Sequence, residues 1–205
     1  QEKMGLEVND DIPLVGIVTR LADQKGVAEL FAPAYGCAYR LCTELKMQLV
    51  VLGAGERWCE EELRSLQSKL PNLRCFIGYD DALSHLIEAG SDFFLMPSRY
   101  EPCGLNQLYS LIYGTLPIVR RTGGLADTVQ QYNQDTGDGT GFIFDHLTPN
   151  AIFDTLGWAM YAYYNKPEHI EKMRKRGMKQ SFGWDESAKK YVEVYQKAIA
   201  KYENK

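Results

Sequence analysis

Cations and glycine turns recur together where apolar runs of this chain end. "TRLADQKG" carries Arg20 and Lys25, "SRYEPCGLNQL" carries Arg99, Glu101 and Gly104, and "VRRTGGL" carries Arg120, Arg121, Gly123 and Gly124. Such a set suits an anion. The cations neutralise its charge, glycine lets the backbone approach closely, and the amides of an opening helix point at the ligand. A phosphate or diphosphate is the expected ligand, met by the amides of Cys103, Gly104 and Leu105 and by the turn of Thr122, Gly123 and Gly124. Each glycine turn taken alone also reads as plain geometry before a helix.

Glu101 does not belong in an anion site by charge. In one reading it pairs with Arg99 or Arg120 as scaffold, or helps cap the next helix. In the other it contacts the hydroxyls of a neutral group joined to the phosphate, as in a sugar nucleotide. Arg99 is assigned no contact of its own; holding Glu101 in place is the role open to it. Tyr79, in "GYDD", either stacks on a base through its ring face or is a core tyrosine. Competing motifs fail. "LGAGER" starts like a dinucleotide fingerprint, but Trp58 occupies the third glycine's position and the motif follows the second strand rather than the first. No phosphate loop of the G-x-x-x-x-G-K-[ST] kind is present. Cys103 as a nucleophile lacks a histidine in any strand-end turn to activate it.

The 27 acidic and 23 basic residues give a net charge of -4, which argues against a nucleic-acid partner or an anionic membrane surface. No apolar run approaches the roughly 20 residues of a membrane span, and "QEKMGLEVND" has no signal-peptide core. Five cysteines without a C-x-x-C pair read as reduced thiols of a cytoplasmic compartment, bacterial by preference with a plastid left open. His85, His146 and His169 show no metal-ligand spacing, so neither metal nor cofactor is expected.

These residues need a frame that brings strand ends together. Apolar runs at 12–19, 47–53, 73–79, 92–97, 116–120 and 141–145 read as strands, mostly continuous rather than alternating, as in parallel strands buried on both faces. Helical patterns fall between them, near 26–46, 57–70, 81–89, 104–114 and 125–131. The alternation predicts an α/β fold, a Rossmann-like doubly wound parallel sheet over about 12–148, whose ligands sit at the carboxyl ends of the strands. From about 149 to 205 the pattern is all-helical, with Pro149 and Pro167 at expected first turns. Ala188, Tyr191, Val192, Tyr195, Ala198, Ile199 and Tyr202 form a stripe at helical spacing. It is expected to pack on its own domain, the alternative being a cover for a neighbouring one.

"RLADQKG", "LGAGE", "GYDD", "PSRYEPCGLNQLYSLIYGTLPIVRRTGGLADTV" and "SFGWDESAKKYVEVY" resemble the C-terminal half of bacterial glycogen synthases and plant starch synthases, from about Met4 to Tyr202. The resemblance implies one nucleotide-sugar-binding domain, 1–205, forming half of a GT-B glycosyltransferase. It implies ADP-glucose as donor and an α-1,4-glucan as acceptor, with retention of anomeric configuration and no metal. By position, Arg20 and Lys25 match the pair that neutralises the diphosphate, and Glu101 matches the acid that contacts the transferred glucose. Cys103, Gly104 and Leu105 match the amide turn, Tyr79 the adenine-side residue, and Thr122, Gly123 and Gly124 the second glycine turn. The family's favoured chemistry is a front-face displacement with the leaving phosphate as base.

Three positions depart from the pattern. Tyr109 stands where related transferases have a second glutamate, Asn106 where a threonine is common, and Thr19 where a small residue is common. The resemblance places most of the acceptor site in an N-terminal domain outside these residues. The chain is therefore expected to bind ADP or ADP-glucose and not to elongate glucan. Two rivals stay open: a UDP-sugar transferase or nucleotide-sugar epimerase on the same fold, and a noncatalytic glucan-binding module. The second calls for exposed aromatics, whereas Trp58, Trp158 and Trp184 lie in helical patterns and are expected to pack.

Overall fold

All six apolar runs form strands in the computed structural model, which describes residues 1–203 and, of Glu186, the backbone alone. They are β1 (Leu14–Val18), β2 (Gln48–Gly53), β3 (Leu73–Ile77), β4 (Phe93–Met96), β5 (Leu116–Arg120) and β6 (Phe142–Phe144). All pair in parallel in the order β3-β2-β1-β4-β5-β6. β2 is buried along its whole length, which explains its apolar run from Leu49 to Leu52, since helices cover both faces; its one polar side chain, Gln48, is buried with its amide hydrogen-bonded to Glu7 O and Gln1. The order reverses between β1 and β4, which lie side by side with Val15 opposite Phe93 and Gly16 opposite Phe94. A reversal of this kind leaves a crevice beyond the strand ends, because successive crossovers leave in opposite directions.

The helices are α1 (Val27–Phe31), α2 (Ala38–Glu44), α3 (Arg57–Lys69), α4 (Asp81–Gly90), α5 (Asn106–Tyr113), α6 (Gly123–Thr128), α7 (Pro149–Asn165), α8 (Pro167–Met178) and α9 (Trp184–Glu203). The single helix expected over 26–46 is two. Pro33 forces Ala32 into an extended conformation, ψ 128°, and ends α1 there. The helix expected over 125–131 instead begins at Gly123 and ends at Thr128. Beyond it the chain extends, and Gln131 forms a parallel bridge with Gly141. Pro149 and Pro167 open α7 and α8 as anticipated, and Thr148 Oγ1 accepts the amide of Ala151 at 3.1 Å to cap the first of them.

One large core lies under α1, α2, α3, α7 and α8, joining Phe31, Leu49, Leu63, Phe93, Phe142 and Met173. A smaller one lies under α4, around Leu14, Val50, Leu83 and Ile87. Burial pushes the Cys37, Cys42 and Cys59 thiols up to about 12, desolvation being the first cause in each. Trp158 packs as expected, against Tyr132 and Phe142. Trp184 does not, being 75% exposed.

The expected packing of the tail stripe fails for the same reason. Tyr191, Val192, Tyr195, Ile199 and Tyr202 are all exposed: among the described residues α9 lays no apolar face against the body. Residues 204–205 of the expected tail lie outside the described residues. Among the described residues no helix is long and apolar enough to cross a membrane.

Candidate functional site

β1 and β4 deliver their loops to the same place. After β1 the chain makes a single 3-10 turn, Asp23–Lys25, and Gly26 follows with φ 72°, the left-handed region that glycine favours. A Cβ on Gly26 would stand 2.1 Å from the Pro97 carbonyl oxygen at the exit of β4. The absent side chain lets one loop rest on the other. Two hydrogen bonds then stitch them: the Arg99 amide donates to Gln24 O at 2.8 Å, and Gln24 Nε2 donates to Tyr100 O at 3.1 Å. The result is a contact between residues 76 apart in sequence, Lys25 Nζ donating to Glu101 Oε2 at 2.5 Å. Ser98 Oγ donates to the same oxygen at 3.1 Å. Both charged side chains are largely buried, 18% exposed for Lys25 and 9% for Glu101.

Glu101 therefore pairs with neither of the arginines named for it. Arg99 reaches away, to Glu29 at 2.8 Å and Asp23 at 3.2 Å, and does not hold Glu101. Arg120 donates to Arg99 O and Asp145 O, and Arg121 pairs with Asp145. Those two cations brace the β5 exit, while Arg20 and Lys25 line a cavity of about 570 Å³ at the crevice.

The turn before α5 supplies that cavity's opposite lip. Gly104 has φ 71°, and a Cβ there would meet Gln107 Oε1 at 2.4 Å. Gln107, fully buried, donates Nε2 to Cys103 O at 3.0 Å and to Gly104 O at 3.1 Å. The carbonyls are drawn inward, and among the described residues no acceptor takes the amides of Cys103, Gly104 or Leu105. Free amides at the start of a helix present partial positive charge to an anion. Gly104, Leu105 and Asn106 line the cavity; Cys103 does not. The Asn106 side chain is engaged in the scaffold, donating to Val18 O at 3.0 Å.

The second glycine turn does a different job. A Cβ on Gly123 would stand 2.1 Å from Glu101 O, and one on Gly124 would stand 2.0 Å from Cys103 O. The Gly124 amide already donates to Glu101 O at 3.0 Å. Thr122, Gly123 and Gly124 thus form a backbone buttress behind the first turn and lie outside the cavity wall. Tyr79 is no core residue: it is 87% exposed, at the rim above α4, with its ring face open.

Two cavity residues escaped the sequence reading, His85 and Glu88 on α4. Their signal was a charged residue on a helix face that otherwise buries Leu83 and Ile87. His85 Nδ1 lies 3.4 Å from Glu88 Oε2, and its ring packs edge-on against Tyr109. Burial raises the Glu88 carboxyl to about 7. Tyr109, in the position of the absent second glutamate, faces this pair across the cavity.

Residues 2–180 match the family model described as glycosyl transferases group 1. The chain is 63% identical over 201 residues to a glycogen synthase of Treponema denticola, covering 98% of this chain and 41% of that protein. It is 46% identical to glycogen synthase 1 of Geobacter metallireducens, covering 98% and 39% respectively. Among solved structures, the catalytic domain of starch synthase IV from Arabidopsis thaliana, bound to ADP and acarbose, superposes with a TM-score of 0.84 at 34% identity. That match covers 97% of this chain and 41% of the other. The chain thus spans about two fifths of the length of these relatives.

Proposed function

The chain belongs to the group 1 glycosyl transferases, and from that membership we propose that its sheet-edge cavity holds ADP-glucose, the donor for extending an α-1,4-glucan. The observation that carries the proposal is the meeting of Lys25 and Glu101 beside unpartnered helix-start amides. A cation and amides suit a diphosphate; a carboxylate beside them suits the hydroxyls of the glucose attached to it. In this reading Arg20, Lys25 and the amides of Cys103, Gly104 and Leu105 stabilise the charge that gathers on the departing diphosphate. Fixed dipoles and charges of this kind need no reorganisation as the bond breaks. Glu101 orients the sugar, Tyr79 carries the adenine, and the buttress of Thr122, Gly123 and Gly124 holds the amide turn in register. The chemistry assigned to the site requires neither metal nor cofactor, and the reaction is placed in a bacterial cytoplasm.

The acceptor site is assigned to that part of such a protein which lies outside the matched region. Titration calorimetry of the 205-residue chain with ADP and ADP-glucose is the first test, and binding to both is expected. Lys25→Ala and Glu101→Gln should each weaken ADP-glucose by about tenfold or more, as loss of a charge-assisted hydrogen bond does. Incubation with labelled ADP-glucose and glycogen should give no incorporation. UDP-glucose bound as tightly as ADP-glucose would overturn the donor assignment.

A further inference from the structure

Ser98 carries a buried hydroxyl with one hydrogen bond, and that bond goes to Glu101. Only 2% of the residue is exposed, and its Oγ donates to Glu101 Oε2 at 3.1 Å. Among the described residues the hydroxyl bonds to no backbone group and to no other side chain. A buried hydroxyl is kept where it has a partner, and here the partner is the carboxylate of the candidate site rather than a turn or a cap.

What the bond does follows from the way Glu101 is held. Lys25 Nζ reaches the same oxygen at 2.5 Å, so both donors converge on Oε2. Among the described residues no hydrogen bond reaches Oε1, yet Oε1 is not one of the buried side-chain atoms left without a partner. It therefore keeps access to solvent, and Glu101 lines the cavity. An ionised carboxylate oxygen with open lone pairs accepts hydroxyls. The terminal torsion of a glutamate is broad and twofold, so rotamer preference alone does not decide which oxygen faces which way. Two donors on one oxygen decide it. The backbone beneath is held too, since the Gly124 amide donates to Glu101 O at 3.0 Å.

Lys25 is the less constant of the two donors. In the donor reading its ammonium also meets the diphosphate, and its four-carbon stem is flexible. Ser98 lies three residues before Glu101 on the same strand exit, with one side-chain torsion between its backbone and Oγ. Its hold on Oε2 does not depend on where Lys25 turns.

Resting on the donor-binding reading above, we propose that Ser98 is a positioning residue for sugar recognition. It anchors Oε2 of Glu101 and so leaves Oε1 turned to the glucose hydroxyls of the donor.

The test is titration calorimetry of the 205-residue chain with ADP and with ADP-glucose, in wild type, Ser98→Ala, Glu101→Ala and the double variant. Ser98→Ala should weaken ADP-glucose by about fivefold, within the worth of one hydrogen bond, and ADP by less than about twofold. Glu101→Ala removes the carboxylate that Ser98 holds, so adding Ser98→Ala to it should weaken ADP-glucose no further. A merely structural serine would weaken both ligands alike or neither, and by the same factor in both backgrounds. Either result overturns the proposal while Glu101→Ala still weakens ADP-glucose. If wild type binds neither ligand, or Glu101→Ala leaves ADP-glucose affinity unchanged, the donor reading itself falls and this proposal with it.

Discussion

A carboxyl whose pKa rises on folding lowers stability in a definite pH window. Glu88 goes from an ordinary 4.5 to about 7, first through burial, with His85 opposing and Asp81 adding. The folded chain holds this proton more tightly than the unfolded chain does. Stability is therefore fully present below pH 4.5 and falls as pH rises through 7, by about 3 kcal/mol in all. The charged and titratable groups that act on the carboxyl are His85 and Asp81, both on its own helix. Glu88→Gln removes the titration. Its unfolding free energy relative to wild type should rise by about 2 kcal/mol between pH 5 and pH 8, read from denaturant titrations. A difference that stays constant across that range would show that folding does not shift the pKa of this carboxyl. Lys25 and Glu101 show what else was hidden at this scale. Their residue types and their place at strand ends were legible, but their mutual pairing was not. It depends on which strands are neighbours, and one sequence does not state that β1 lies beside β4.

At the scale of elements, the two glycine turns read alike in sequence and differ in use. The turn at Gly104 leaves its amides open, whereas the turn at Gly123 and Gly124 spends its closeness on the backbone of the first. The distinction lies in packing between α5 and α6, invisible to a pattern of glycines before a helix. Gly124→Ala puts a methyl 2.0 Å from Cys103 O, a backbone atom that cannot step aside without moving the amide turn. The variant should lose roughly 1–3 kcal/mol of stability, and its affinity for ADP should fall with the displaced turn. Retained ADP affinity by calorimetry would mean that the buttress does not set the turn. The strands were read correctly because parallel strands buried on both faces leave continuous apolar runs. The helix over 26–46 was misread because Pro33 sits inside a pattern that otherwise stays amphipathic.

The whole molecule is an α/β body ending at α8, followed by a helix that stands apart from it. The sequence showed the apolar stripe on α9 but not its disposition, since helical spacing marks a sticky face without saying what covers it. Among the described residues α9 lays no apolar face against the body; Trp184, Tyr191 and Tyr195 stack on one another along the helix. Burial of apolar surface is what couples an element to the cooperative unfolding of a domain, at about 25 cal/mol for each Å² removed from water. An element that buries almost none cannot stabilise the rest. Ending the chain at Gly183 should therefore leave the calorimetric unfolding transition within about 2 °C of the full chain, a shift below roughly 1 kcal/mol for a domain of this size. The far-ultraviolet helical signal should fall at the same time. A large drop in the transition temperature would show that α9 folds back on the body in solution. ADP affinity should survive the truncation, because no residue of α9 lines the donor cavity.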